Sequence, residues 1–145
     1  MIEIVEITKS NWQECASLSV SEDQKRFVAS NLYSLAESKF EPEMCPVGIN
    51  NNDELIGFAM YGNETEANRA WIIRFMIDEK HQNKGLGKEA LSQLIKLLND
   101  KYIITNIRLC VEPENIVAIK FYESFGFLST GEKWGDEIIF ELKYR

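Results

Sequence analysis

The segment Gln82-Asn83-Lys84-Gly85-Leu86-Gly87 sets two glycines immediately before a helix-forming run, Lys88 to Leu98. The first turn of a helix carries backbone N–H groups with no internal acceptor, and the helix dipole makes that end positive. Such a mouth suits a phosphate or pyrophosphate. Lys80, His81, Lys84 and Lys88 cluster around it, whereas Glu37, Glu41 and Glu43 gather elsewhere. A chain with one basic spot and an acidic remainder is suited to hold an anion and a cation together. A nucleotide P-loop needs a Gly-Lys-Ser or Gly-Lys-Thr ending, and a dinucleotide fold needs a longer glycine fingerprint. Neither is present, so the loop alone specifies a phosphate-bearing ligand without naming it.

The elements that must position this loop are legible from periodicity. Trp71 to Ile77 is an apolar run read as the strand leading into it. In the helix that follows, Ala90, Leu91, Leu94, Leu97 and Leu98 share one face. Ile2 to Ile7 alternates as a first strand. Thr8 or Ser10 is placed to cap a helix through Trp12 and Leu18. Phe27 to Ser38 gives a second helix, with Phe27, Leu32, Leu35 and Ala36 on one face. Asn50 to Asp53 turns a hairpin between Val47–Ile49 and Leu55–Met60. Asn106 to Val111 is a further strand, Ile116 to Ser124 a short helix ended by Gly126, and Phe127–Thr130 with Glu137–Leu142 a closing hairpin. The order β-α-α-β-β-β-α-β-α-β-β predicts a mixed α/β sheet with helices on both faces.

Bulk properties narrow the class. The 145 residues predict a single domain, 1–145, and 45% hydrophobic with 27% charged residues fits a soluble globular protein. No apolar stretch reaches the roughly 20 residues needed to cross a bilayer. The acidic, alternating start is unlike a signal peptide, so a cytoplasmic location is expected. Cys15, Cys45 and Cys110 are widely spaced and fit no zinc pattern, which points to reduced thiols and no metal. A net charge of −7 disfavours nucleic acid and membrane surfaces and favours a small cationic partner.

A second segment, Asn115 to Phe127, decides among phosphate-bearing ligands. Gln82, Gly85 and Gly87 match a Gln/Arg-x-x-Gly-x-Gly/Ala loop. Asn115, Ala118, Tyr122, Gly126 and Phe127 match an Asn-x-x-Ala-x-x-x-Tyr-x-x-x-Gly-Phe segment. Together, in this order and separation, they resemble the GNAT superfamily of N-acetyltransferases. Phe27–Glu37 and Arg74–Asp78 look, more narrowly, like the bacterial spermine/spermidine acetyltransferases. The resemblance implies a mostly antiparallel sheet of about six to seven strands, with four helices and a strand pair, Trp71–Asp78 and Asn106–Val111, splayed apart.

It also implies acetyl-CoA as cofactor. The pyrophosphate would lie on the amides of Gln82, Asn83, Lys84, Gly85, Leu86, Gly87 and Lys88. The pantetheine arm would run beside Phe75, Met76 and Ile77. Asn115 and Ala118 would border the arm, and Tyr122 would sit near the sulfur as the catalytic residue. Lys120 is placed to meet a phosphate, or else to face solvent.

The implied reaction is attack of an amine on the thioester. An alkyl amine with a pKa near 10.4 is neutral in only about one molecule per 10³ at pH 7, a deficit of about 4 to 5 kcal/mol. The site must therefore hold a cation and remove a proton. Glu37, Asp78 and Glu112 are candidates for that task, and each is also readable as solvated charge. Histone-modifying relatives carry a glutamate near the start of the strand before the glycine loop. Ala70-Trp71-Ile72-Ile73 has none, which weighs against a histone-like acceptor. Arg74 reads as a cross-sheet ion-pair partner.

Tyr33 and Glu37 stand four residues apart on a helix face. An aromatic beside a carboxylate suits a polyamine's methylenes and ammonium groups. Trp71 and Trp134 are placed either to pack or to line a substrate slot. The leading expectation is acetyl transfer to a primary amine of spermidine or spermine. Acceptance by a peptide N-terminus, a lysine or an aminoglycoside is the alternative enzyme reading, and a non-catalytic CoA-binding sensor is the third. A homodimer is compatible with apolar C-terminal strands.

Overall fold

The computed structural model describes residues 1–144. Seven strands form one sheet: β1 (Ile2–Glu6), β2 (Cys45–Asn51), β3 (Glu54–Glu64), β4 (Arg69–Ile77), β5 (Asn106–Val111), β6 (Leu128–Trp134) and β7 (Glu137–Lys143). Their spatial order is β1-β2-β3-β4-β5-β7-β6. Every pairing is antiparallel except β4 with β5. The helices are α1 (Trp12–Ser17), α2 (Asn31–Phe40), α3 (Leu86–Lys101) and α4 (Ile116–Glu123). The element order and the strand count match the sequence expectation.

Two apolar layers flank the sheet. On one face Ala90, Leu91, Leu94 and Leu98 of α3 pack with Ile49, Ile72, Ile107 and Phe127, and α4 adds Phe121 and Tyr122. On the other face Cys15 of α1 and Leu35 of α2 cover Phe58, Met60 and Met76. Among the described residues no helix is long and apolar enough to cross a membrane.

The second helix differs from its predicted pattern. Residues Glu22–Phe27 form a 3₁₀ helix, and α2 begins only after Ser30, whose Oγ accepts the Tyr33 N–H at 3.1 Å. Its inward face sets polar groups beside Leu35: Asn31 and Ser34 are buried, whereas Leu32 and Tyr33 are 57% and 61% exposed. The Asn31 amide explains the choice, because it donates to the Cys15 carbonyl at 2.9 Å and fixes α2 against α1. In α1 the expected caps Thr8 and Ser10 give way to Asn11, whose Oδ1 accepts the Thr8 N–H at 2.7 Å.

Glycine is required where two strands approach too closely for a side chain. A Cβ on Gly57 of β3 would stand 2.5 Å from the Met76 carbonyl oxygen of β4. The turn between β2 and β3 holds Asn52 and Asp53 at positive φ, the conformation that asparagine and aspartate accept more readily than other non-glycine residues.

Candidate active site

β4 and β5 run parallel for only three residue pairs, Arg69–Asn106, Ala70–Ile107 and Trp71–Arg108. Beyond Trp71 they part. The parting coincides with a bulge: Met60 of β3 opposes Arg74 and Tyr61 opposes Ile72, which leaves Ile73 as the extra residue on β4. A bulge bends its strand and increases local twist, so it turns β4 away from β5. The gap opens into a cleft of about 830 Å³. Phe75, Met76 and Ile77 form one wall, Leu109 to Glu112 the other, and Ala118, Phe121 and Tyr122 of α4 a third side.

The glycine loop closes one end. Asn83 and Gly85 adopt positive φ of 62° and 78°, and α3 starts at Leu86. Among the described residues, the backbone N–H groups from Asn83 to Lys88 find no acceptor within the protein; the next amide, Glu89, reaches the Gly85 carbonyl at 3.4 Å. This is a row of donors pointing at the start of a helix, the arrangement that accepts phosphate oxygens. The Gln82 side chain braces the loop by donating to the Ile77 carbonyl at 2.9 Å and to Gln24 at 3.1 Å. At Gly87 an added Cβ would meet Phe121 and Ile77 at ordinary contact distances of 3.7 and 3.8 Å. The fold itself therefore leaves room for a side chain there, whereas Gly85 is dictated by its backbone angle.

Tyr122 stands at the other end. Its ring is held edge-on by Phe121 at 5.3 Å and Phe127 at 5.8 Å. Among the described residues its hydroxyl has no hydrogen-bond partner, and burial pushes the phenol above its ordinary value. It therefore stays protonated through the neutral range, a donor facing open space. Asn115 caps α4, its Oδ1 accepting the Ala118 N–H at 3.3 Å. Cys110 also lines the cleft, its thiol pushed up to about 11 by burial and then by nearby Glu137.

Of the residues singled out from sequence, Phe75, Met76, Ile77, Gln82, Asn83, Gly85, Gly87, Lys88, Glu112, Asn115, Ala118 and Tyr122 converge on this cleft. Others stand apart. Lys84 and Lys120 are exposed outside it, and Leu86 packs into the core. Asp78 is buried and accepts the Ser19 N–H at 2.9 Å, which joins the end of β4 to the chain after α1. Glu37 is held by Arg74 at 3.0 Å, and Trp71 donates its indole N–H to Glu64 at 2.8 Å. Tyr33 and Trp134 are exposed beyond the cleft's lining. His81 turns away from the loop to Glu54, at 3.5 Å.

Sequence reasoning missed two parts of the site. The 3₁₀ segment roofs the cleft through Gln24 to Phe27, and Arg26 crosses to Glu114 at 3.1 Å. Its only sequence signal was the pair of acidic residues at the start, Glu22 and Asp23, and of basic residues at the end, Lys25 and Arg26. Glu137 of β7 lines the cleft as well, although in the sequence it looks like the first residue after a tight turn.

Comparison with known proteins agrees with this architecture. A family model described as the acetyltransferase (GNAT) family matches residues 3–127. A spermine/spermidine N(1)-acetyltransferase of Bacillus subtilis is 37% identical over 137 residues, covering 90% of both chains. The crystal structure of a PaiA N-acetyltransferase from Thermoplasma acidophilum in complex with coenzyme A superposes with a TM-score of 0.71 at 25% identity, covering 99% of each chain. An aminoglycoside acetyltransferase in complex with coenzyme A shares the fold, with a TM-score of 0.81 at 19% identity over 99% of this chain and 95% of that one. With its split sheet, its unpaired loop amides and a family match across most of its length, this chain belongs to the GNAT acetyltransferase family.

Proposed function

We propose that the protein transfers an acetyl group from acetyl-CoA to a primary amine of a polyamine such as spermidine or spermine. The single observation that carries this reading is the juxtaposition, in one cleft, of the unpaired amides from Asn83 to Lys88 with the unpartnered Tyr122 hydroxyl. The loop amides and exposed Lys88 suit a pyrophosphate. The free edge of β4 offers backbone groups to an amide-bearing arm, as a sheet edge does to a peptide.

When bound, acetyl-CoA supplies the activated acetyl group as a thioester. The chain's residues hold, orient and manage protons around it. The β4 edge and Asn115 would hold the arm, and Tyr122 of α4 would stand near the sulfur. A free thiol near 8.5 already lies below an ordinary phenol near 10, so full proton transfer from a tyrosine is uphill by about 2 kcal/mol or more. Burial of Tyr122 makes transfer harder still. Its contribution is therefore a hydrogen bond to charge developing on sulfur.

The acidic chain and the carboxylates Glu112 and Glu137 at the cleft favour a cationic acceptor. The similarity to the Bacillus enzyme selects polyamines among cations. Thiol release from acetyl-CoA, followed with spermidine, spermine, a lysine peptide and an aminoglycoside, tests the assignment. Turnover with the two polyamines is expected. Turnover confined to the peptide or the aminoglycoside refutes it.

A further inference from the structure

Acetyl transfer from a cationic amine needs a proton acceptor, and two of the three residues first considered for it, Asp78 and Glu37, are otherwise engaged. Asp78 holds the Ser19 amide and Glu37 holds Arg74. Glu137 opens β7. The β5–β7 register ends at Val111–Ile138, so one further step sets Glu112 opposite Glu137. Directly opposed residues of antiparallel strands share a face, and like charges so placed repel. Both carboxylates line the cleft, and neither has an ion-pair or side-chain hydrogen-bond partner among the described residues.

Arg74, whose charge reaches Glu137, makes no bond to either carboxylate. Arg74 spends Nη2 on Glu37 at 3.0 Å and Nη1 on the Ile73 carbonyl at 3.2 Å, and its buried Nε has no partner among the described residues. Two opposed carboxylates in a cleft that also presents Tyr122 are suited to a ligand that brings a positive charge and gives up a proton.

We propose that Glu137 is the catalytic base, taking a proton from the substrate ammonium, with Glu112 opposite it across the strand pair. This rests on the acetyl-transfer reading of the cleft and adds a residue to it. The protons balance as follows. The Glu137 carboxylate removes one proton from R–NH₃⁺ and returns it to solvent. The neutral nitrogen forms the N–C bond as the C–S bond breaks. The second proton lost from nitrogen ends on the departing sulfur, leaving an amide and a thiol.

Charge and burial around Glu137 agree with this role. Burial first, and then Glu112, raise its carboxyl above the usual range, while Arg74 pulls it down. The other titratable or charged groups on the same cleft are Cys110 on β5, Tyr122 on α4, Lys25 and Arg26 of the 3₁₀ segment and Lys88 of α3. A base tuned upward in this way works closer to neutral pH than an ordinary carboxylate. The sign is fixed: the base form is lost as pH falls through the raised value, so kcat/KM must fall on the acid side.

The test measures thiol release from pH 5 to 9 in wild type, Glu137→Gln and Glu112→Gln, each with the best acceptor from the amine panel. Coenzyme A affinity and thermal midpoint are measured on the same samples. Glu137→Gln is expected to lower kcat/KM by about 10² to 10⁴ and to flatten the acid limb. Its coenzyme A affinity should be unchanged and its midpoint equal or higher, because a like-charge repulsion with Glu112 has been removed. Glu112→Gln should move the acid limb to lower pH. Glu137→Gln within twofold of wild type, with the limb intact, overturns the proposal. If the best acceptor is a peptide, the polyamine reading falls and the Glu137 result still decides the base. A wild type inert toward every amine overturns both.

Discussion

Arg74 of β4 and Glu37 of α2 meet at 3.0 Å with both side chains largely buried. The pair fastens α2 to the strand at the point where the bulge turns β4 away from β5. It is therefore part of what holds one lip of the cleft. Glu37→Gln leaves a largely buried guanidinium without its counter-charge, and a loss of about 1 to 3 kcal/mol is expected. Urea unfolding checks this, and an unchanged midpoint would show that the pair does not secure α2.

Tyr122→Phe removes only the hydroxyl. The ring contacts with Phe121 and Phe127 persist, so the fold should be retained. Turnover should fall by about 10²-fold, the usual effect of deleting one donor to developing charge. Coenzyme A affinity, measured by calorimetry, should hold within a factor of two. Unchanged turnover would remove Tyr122 from the mechanism.

The two loop glycines should separate fold from ligand. Gly87→Ala is expected to fold normally, since its Cβ meets neighbours at 3.7 Å. Gly87→Glu adds bulk and negative charge beside the amide row and should weaken coenzyme A binding about tenfold or more, equivalent to about 1.4 kcal/mol. Gly85→Ala should instead cost stability, about 1 to 2 kcal/mol, because φ is +78°.

Gly57→Ala is expected to be among the most damaging single-methyl additions. Its Cβ would stand 2.5 Å from the Met76 carbonyl, so β3 and β4 must separate. The cost should reach about 1 to 3 kcal/mol, with a drop in coenzyme A affinity, since Met76 lines the cleft. Thermal melting and calorimetry on the same sample check both.

The thiols of Cys15 and Cys110 are both pushed up to about 11, mainly by burial. For an acid raised on folding, the contribution to stability is complete below the unfolded value and is lost as pH climbs through the folded one. Stability should therefore fall between about pH 9 and 11, beyond ordinary alkaline loss, and Cys15→Ser should reduce that slope. At pH 8 alkylation of both thiols should be about 10²-fold slower than that of a free thiol of pKa near 8.5.

Much of this was legible in the sequence because period and punctuation carry it. The strand from Asn106 to Val111 and the helix from Leu86 alternate or repeat cleanly, and Gly85 marks the loop by its chemistry. Likewise Tyr122 and Asn115 lie on one short helix and its cap, and so travel together. What stayed hidden depended on tertiary choices. Leu32 looks inward by hydrophobicity, yet Asn31 and Ser34 point in because an amide-to-carbonyl bond to Cys15 sets the rotation of α2. Glu137 reads as a surface residue after a turn, and only the β5–β7 register carries it to the cleft. Trp71 looked free to line a slot until Glu64, seven positions earlier, proved to hold its indole.

The three-rung seam between β4 and β5 makes the gap a standing property of the backbone. Register and one inserted residue keep it open, so β4 and β5 need not separate before a guest arrives. Loading should then be a one-step encounter, its observed rate linear in guest concentration without a plateau, and in the range of about 10⁵ to 10⁷ M⁻¹s⁻¹ usual for docking on a preformed surface.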